Sequence, residues 1–190
     1  VKILLQADYG RIYVNSHDIQ FGSEGSRLDL VNDAGQNNLF PLYRFGLSLT
    51  RLEHRLVLTY QPLFFESKEI LQNDLAADQL TFTKGKPIDM SYNFPYTRLT
   101  YLHQLPWSPA ELRVGGALQI RNANIVLTQS DGAQRVRRGD IGALLLFSVQ
   151  MRYLLRGFYL DAEFSGAGLN TKRRNRGGYF HDFALKMILP

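Results

Sequence analysis

Four histidines, His17, His54, His103 and His181, are the side chains in this sequence best suited to proton transfer near neutral pH, and no cysteine accompanies them. A hydrolase built on histidine needs a serine within hydrogen-bond reach of the imidazole and a carboxylate to orient the ring. Ser16 adjoins His17 and Asp182 adjoins His181, but adjacency in the chain does not supply that geometry. His181 is the single candidate for catalysis, and a weak one, because Asp182 would point to the opposite face of a strand. There is no GxGxxG, P-loop, HExxH or GxSxG motif, so nucleotide-dependent and zincin-type chemistry have no visible basis. No metal-ligand spacing stands out and no cofactor is expected.

Cations offer a second kind of chemistry. Arg135, Arg137 and Arg138 form one cluster and Lys172, Arg173, Arg174 and Arg176 another; guanidinium groups bind phosphate oxygens through charge-assisted hydrogen bonds. Aromatic residues are not interleaved with either cluster, which argues against nucleic acid as the partner. The 22 Lys and Arg against 17 Asp and Glu leave the chain at +5.

The elements that must position these groups are strands. Period-two alternation outweighs the helical period along most of the chain. In the segment 138–154, Ile141, Ala143, Leu145, Phe147, Val149, Met151 and Tyr153 share one parity, with Arg138, Asp140, Gly142, Ser148, Gln150 and Arg152 on the other. The same test predicts eight strands, at 1–14, 39–51, 54–65, 88–104, 110–128, 138–154, 157–168 and 178–190. That is about 60% of the chain, a fraction reasonable for a closed barrel and suspect for an ordinary globular domain. The fourth strand changes parity between Tyr96 and Leu99, which predicts a bulge near Pro95 or, as the second choice, a part of the segment standing clear of the apolar layer. Ser26 to Val31 alternates, which fits a hairpin extension above the barrel or a plain loop, and Ile70, Leu71, Leu75 and Leu80 have the spacing of a short amphipathic helical turn.

Long and short connections alternate: 15–38, 66–87, 129–137 and 169–177 are long, and 52–53, 105–109 and 155–156 are short. In an up-and-down barrel this puts every long loop at one end. Residues 1–190 are expected to form one domain. The most apolar stretch, Gly142 to Met151, is too short for a spanning helix. Nothing at Val1 reads as a secretory signal, one having been removed or never present.

Alternation does not say which face is outside, and a soluble lipocalin-like barrel with apolar residues inward is the alternative. Strand length, loop asymmetry and aromatic placement favour the inverted arrangement. Trp107, Tyr101 and Tyr153 fall towards one end and Tyr9, Tyr60, Tyr92 and Tyr179 towards the other, as two interfacial girdles would. With the apolar parity outward, the lumen collects Arg44, Arg98, Arg113, Arg121, Arg152 and Lys186 with Asp140, Asp161, Glu163 and Asp182. Eight strands leave room only for side chains, so these charges should form a packed network rather than a wide pore.

The final segment, Tyr179 to Leu189 with Phe183, Leu185, Met187 and Leu189 alternating, resembles the last-strand signal of the small eight-stranded bacterial outer-membrane β-barrels. It departs from that pattern by ending in Leu189-Pro190 and by Ala184 where glycine is frequent. The whole chain is similar to that class. The resemblance implies an all-β, eight-stranded antiparallel up-and-down transmembrane barrel in the bacterial outer membrane, a monomer handled by the outer-membrane assembly machinery. Outer-membrane lipid and lipopolysaccharide would be its partners, with the two cationic clusters meeting lipopolysaccharide or an external partner, and the protein would more readily be non-enzymatic. A lipid A-modifying enzyme using His181, or a narrow channel for small solutes, are the alternatives.

Overall fold

Strands whose side chains alternate in polarity can bury one face only by curling or stacking. The computed structural model describes residues 1–20, 27–29, 31–32, 38–77, 79–171 and 176–189, and among these it is all β, with no helix. The strands are β1 (Lys2–Tyr13), β2 (Asp18–Gln20), β3 (Arg27–Asp29), β4 (Leu39–Arg51), β5 (His54–Gln61), β6 (Phe64–Ile70) and β7 (Leu75–Ala77). There follow β8 (Leu80–Phe82), β9 (Pro87–Asn93), β10 (Tyr96–Leu105), β11 (Glu111–Gln129), β12 (Arg135–Leu155), β13 (Phe158–Thr171) and β14 (Arg176–Ile188). Ten of them form one antiparallel sheet in the order β1-β4-β5-β10-β11-β12-β13-β14, with β6 and β9 extending its middle. This sheet curls into a half-barrel. Among the described residues no ladder joins β1 to β14.

Two interruptions divide strands without shifting them. β5 pairs with β10 so that Gln61 faces Tyr96, and three residues further up β6 pairs with β9 so that Phe64 faces Asn93. Both pairings share one register across the breaks at Pro62-Leu63 and Phe94-Pro95. β11 spans the second break continuously, facing Tyr96 with Arg121 and Asn93 with Asn124. The expected bulge near Pro95 is therefore absent: proline removes a ladder donor there, but no extra residue is inserted.

What changes at that level is polarity. Below it, the inward positions of β10, β11 and β12 are Arg98, Thr100, Arg113, Gln119, Ser148 and Gln150, all buried. The outward positions are Leu99, Tyr101, Leu118, Ile120, Leu145 and Phe147, all exposed, with Leu145 at 77%. Above it, the inward positions turn apolar. Ile88, Met90, Leu127 and Val136 pack with Leu71, Leu75, Ala77 and Phe82 into a small core, while the outward Arg135, Arg137 and Glu66 face solvent. The segment with helical spacing is part of this core: Leu71, Leu75 and Phe82 meet because β7 and β8 form a hairpin over β9 and β11, not because a helical turn is present.

Two further expectations change. β11 and β12 run to Gln129 and from Arg135, leaving a five-residue connection where nine were expected, so the strict alternation of loop lengths fails there. Arg135, Arg137 and Arg138 lie on β12 and not in a loop, and Arg176 begins β14. Lys172, Arg173 and Arg174 fall outside the described residues. The Ser26 to Val31 segment contributes β3, paired with β2. Gly115 is required by the packing of β10 on β11, since a Cβ there would run into the Tyr101 carbonyl.

Candidate functional site

The inward face of the lower sheet gathers the charged residues that parity assigned to the lumen. Arg98 on β10 donates from Nη2 to Asp182 Oδ2 on β14 at 2.8 Å and from Nε to Gln119 Oε1 at 2.7 Å. Three strands lie between β10 and β14 in the sheet, so this bond crosses the interior. Arg55 on β5 makes a second crossing, donating from Nη1 to Gln150 Oε1 on β12 at 2.8 Å. Arg152 grips Asp161 with two bonds of 2.6 Å, the fork geometry that makes guanidinium the favoured partner of a buried carboxylate. Lys186 sits 3.8 Å from Glu163 and 4.0 Å from Asp8, linking β14 to both its ladder neighbour and β1.

Glutamine is the part of this network that a search for charges misses. Arg44 donates to Gln61, Arg55 to Gln150, Arg98 to Gln119 and Arg113 to Gln104, each to the amide oxygen and each within 3.0 Å. The amide has a donor to spare, and Gln150 passes it on to Glu163 at 3.0 Å. A neutral relay of this kind satisfies guanidinium donors without adding a charge to a confined interior. The signal in the sequence is glutamine on the arginine parity, as in Arg113, Gln119 and Arg121 or Gln150 and Arg152. Ser148 and Ser165 pair at 3.0 Å on the same wall.

Arg121 is held differently. Its guanidinium lies 4.2 Å from the Phe180 ring and 5.5 Å from that of Phe94, at the level where the interior changes from polar to apolar. Above it stands an aromatic layer in which Tyr92 stacks on Phe94 and Phe65, Phe65 meets Phe40 at 4.0 Å, and His17 stands edge-on to Tyr92 at 4.6 Å. Tyr92 thus belongs to the interior and not to an outer girdle. Tyr9, Tyr60, Tyr101, Tyr153 and Trp107 are all exposed on the outside, as expected. The side chains of Asp140, Tyr179 and Arg176 lie outside the described set. Below the aromatic layer the charged lumen encloses a cavity of about 90 Å³ lined by Arg44, Arg55, Arg98, Lys186, Glu163 and Asp182 among others.

His181 faces outward on β14, stacked on Phe164 and opposite Gly166 in the ladder. Ser165 and Asp182 point to the other face, Ser165 towards Ser148 and Asp182 towards Arg98, so these neighbours do not complete a triad. The Ser16-His17 pair is also structural. Asp29 accepts from the Ser16 hydroxyl at 3.0 Å and from the backbone N–H of His17, while the imidazole packs on Tyr92. Partial burial pushes the Asp29 carboxyl up, but hydrogen bonds from His17, Asn32, Val31 and Ser16 outweigh it and bring it down to about 2.

Arg135 and Arg137 project outward from β12 above the apolar band, Arg137 donating to Asn124 Oδ1 at 3.0 Å. Arg138 is exposed on the same strand. Among the described residues no group of three or more His, Cys, Asp or Glu could hold a metal ion. No protein-family model matches the chain, and no curated protein matches its sequence.

Proposed function

We propose that the chain is an integral protein of the bacterial outer membrane, a monomeric eight-stranded up-and-down β-barrel whose filled polar lumen is structural and whose cationic outer rim contacts lipopolysaccharide. The observation that carries this reading is the inversion of polarity along continuous ladders. A water-soluble sheet has no reason to expose Leu145, Phe147, Phe183, Leu185 and Met187 while burying Arg98, Gln119 and Gln150, whereas a sheet in hydrocarbon must do so. Along β12 the outward apolar run extends from Ile141 to Tyr153. At about 3.3 Å per residue and a tilt near 45° it spans about 28 Å, close to the apolar band of an outer-membrane barrel. The ordinary polarity above Pro95 fits a β extension standing in water.

Strand count supports the same reading. Because β5 with β6 and β9 with β10 each keep one register, the ten strands amount to eight staves. Arg135 and Arg137 lie within about 20 Å of Ile141 along the strand, at the height where lipid phosphates would be met. The β14 segment, with Phe183, Leu185 and Met187 outward, is the part that the outer-membrane assembly machinery would read during biogenesis. The reading is non-enzymatic, since His181 has aromatic and glycine neighbours in place of a nucleophile.

Refolding into phospholipid vesicles tests the proposal. The protein should float with the vesicles, resist extraction by alkaline carbonate and give a strand-rich circular dichroism spectrum. A folded monomer that stays in the aqueous phase without detergent would overturn it.

A further inference from the structure

We propose that the lumen of this barrel binds a small inorganic anion of about the size of chloride, held in the cavity between Arg44, Arg55 and Lys186. The inference rests on the membrane-barrel reading above and adds a ligand to an interior treated so far as self-contained.

Three observations converge on it. The first is the balance of charge around the cavity: Arg44, Arg55, Arg98 and Lys186 line it, against Asp8, Glu163 and Asp182. Arg98 is matched by Asp182 at 2.8 Å, and Lys186 reaches Asp8 and Glu163 only at 4.0 and 3.8 Å. Arg44 and Arg55 take amide oxygens, from Gln61 and Gln150, as their hydrogen-bond partners. Amide oxygens accept hydrogen bonds without cancelling charge, so four cations against three carboxylates leave the cavity a surplus of one positive charge in a partly buried site.

The second observation concerns which polar atoms lack partners. Among the described residues of the lower interior, the buried side-chain atoms without a hydrogen bond are Arg55 Nε, which belongs to the cavity lining, and Gln119 Nε2 and Arg121 Nε, which lie outside that lining. All three are donors. An interior short of acceptors, and short of negative charge, is complementary to an anion. Water would satisfy the donors but leave the charge where it is. The third is size. A cavity of about 90 Å³ has room for a halide with a few waters, and gluconate is a far bulkier anion with its charge on one end. Arg55 lies at the centre of the case, because it lines the cavity, carries an unmatched donor and meets no carboxylate within hydrogen-bond distance among its described contacts.

The test uses the full chain folded in detergent or vesicles at constant ionic strength, with sodium gluconate exchanged stepwise for sodium chloride or bromide. The melting temperature should rise saturably with either halide, and the chloride-35 resonance should broaden in the presence of the protein. Arg55→Gln should weaken the apparent halide affinity about tenfold or more, and Arg44→Gln should do the same if Arg55→Gln fails to fold. Replacing the exposed Arg51 by Gln should leave it unchanged. Melting that does not distinguish halide from gluconate, or a halide response equal in Arg55→Gln and the parent, would overturn the proposal. Such a result from a vesicle-inserted barrel removes the anion site alone, whereas failure to insert removes the membrane reading.

Discussion

Asp161 is 3% exposed and receives both of its strong hydrogen bonds from Arg152, which makes this pair the most demanding contact in the lumen. Removing one partner of a buried ion pair leaves the other desolvated and unmatched. Asp161→Asn should therefore lower stability by about 3 kcal/mol, measured by urea unfolding of the vesicle-inserted protein. Lys68 and Asp89 form the control, since they pair at 3.1 Å with the lysine fully in water; Lys68→Gln should change stability by less than about 0.5 kcal/mol. Equal effects would mean that the lumen is as wet as the surface. Asp29 gives the prediction in pH. Its carboxyl titrates near 2, below the ordinary value of 3.8, so the folded form binds its proton less readily than the unfolded chain does. The stabilisation is complete above about pH 4 and is lost as the pH falls towards 2. Amide exchange at His17 and Val31, whose N–H groups Asp29 accepts, should accelerate across that window, and Asp29→Asn should remove the transition.

Among the elements, the β9 and β10 pair is the most informative, because one register carries two opposite polarities. Phe147, midway along the outward apolar run of β12 and 57% exposed, should tolerate arginine badly in a bilayer. Phe147→Arg is expected to cost about 2–4 kcal/mol, as charges at the midplane of such barrels do. Ser91→Arg, outward on β9 above Pro95 and facing Glu66 in the ladder, should cost nothing measurable in the same vesicle unfolding assay. A soluble barrel would show no penalty at Phe147. Parity made most of this architecture legible: the limits of the strand at Leu39–Arg51 and the inward set of Arg98, Arg113, Arg152, Asp161 and Asp182 follow from alternation alone. The inversion was visible only as an irregularity between Tyr96 and Leu99, because alternation reports which residues share a face and not what that face meets. Ile88 and Met90 point the same way as Arg98 and Thr100, one pair into an apolar core and the other into a polar lumen. The hairpin of β7 and β8 escaped for a related reason: when two short strands fold back on each other, their apolar residues return at intervals that mimic a helical turn. The glutamines escaped because an uncharged amide gives no signal until its arginine partner is placed on a neighbouring strand.

At the scale of the whole molecule, the question is what becomes of the edges of β1 and β14. In hydrocarbon an open sheet edge leaves a row of unpaired N–H and C=O groups, so a membrane-embedded sheet must close on itself. The Asp8 and Lys186 side chains reach each other at 4.0 Å across the gap between these edges and point to the register in which the edges would close. A path from Asp8 along the ladders, with the β4–β5 register extended by one rung and the β12–β13 register by five, crosses Arg44, Gln61, Tyr96, Arg121, Gly142 and Thr171 to arrive at Arg176. Setting Asp8 against Lys186 displaces the seam by about ten residues along β14, and for eight staves spaced about 4.8 Å apart that stagger gives a tilt of about 41°, inside the range that closed barrels occupy. The same register sets Ala7 opposite Met187 on the outer face. Since the chain has no cysteine, paired substitutions can read the seam directly. Ala7→Cys with Met187→Cys should cross-link on oxidation, because directly opposed strand residues meet the spacing a disulfide needs. Ala7→Cys with Leu185→Cys or with Leu189→Cys, which demand a stagger two residues shorter or longer, should cross-link poorly. If one of those pairs reacts best, the barrel closes with a different tilt and the lumen contacts shift with it. If none reacts in vesicles, the edges remain apart, and a sheet with its backbone open to lipid could not be the membrane barrel that its side chains describe.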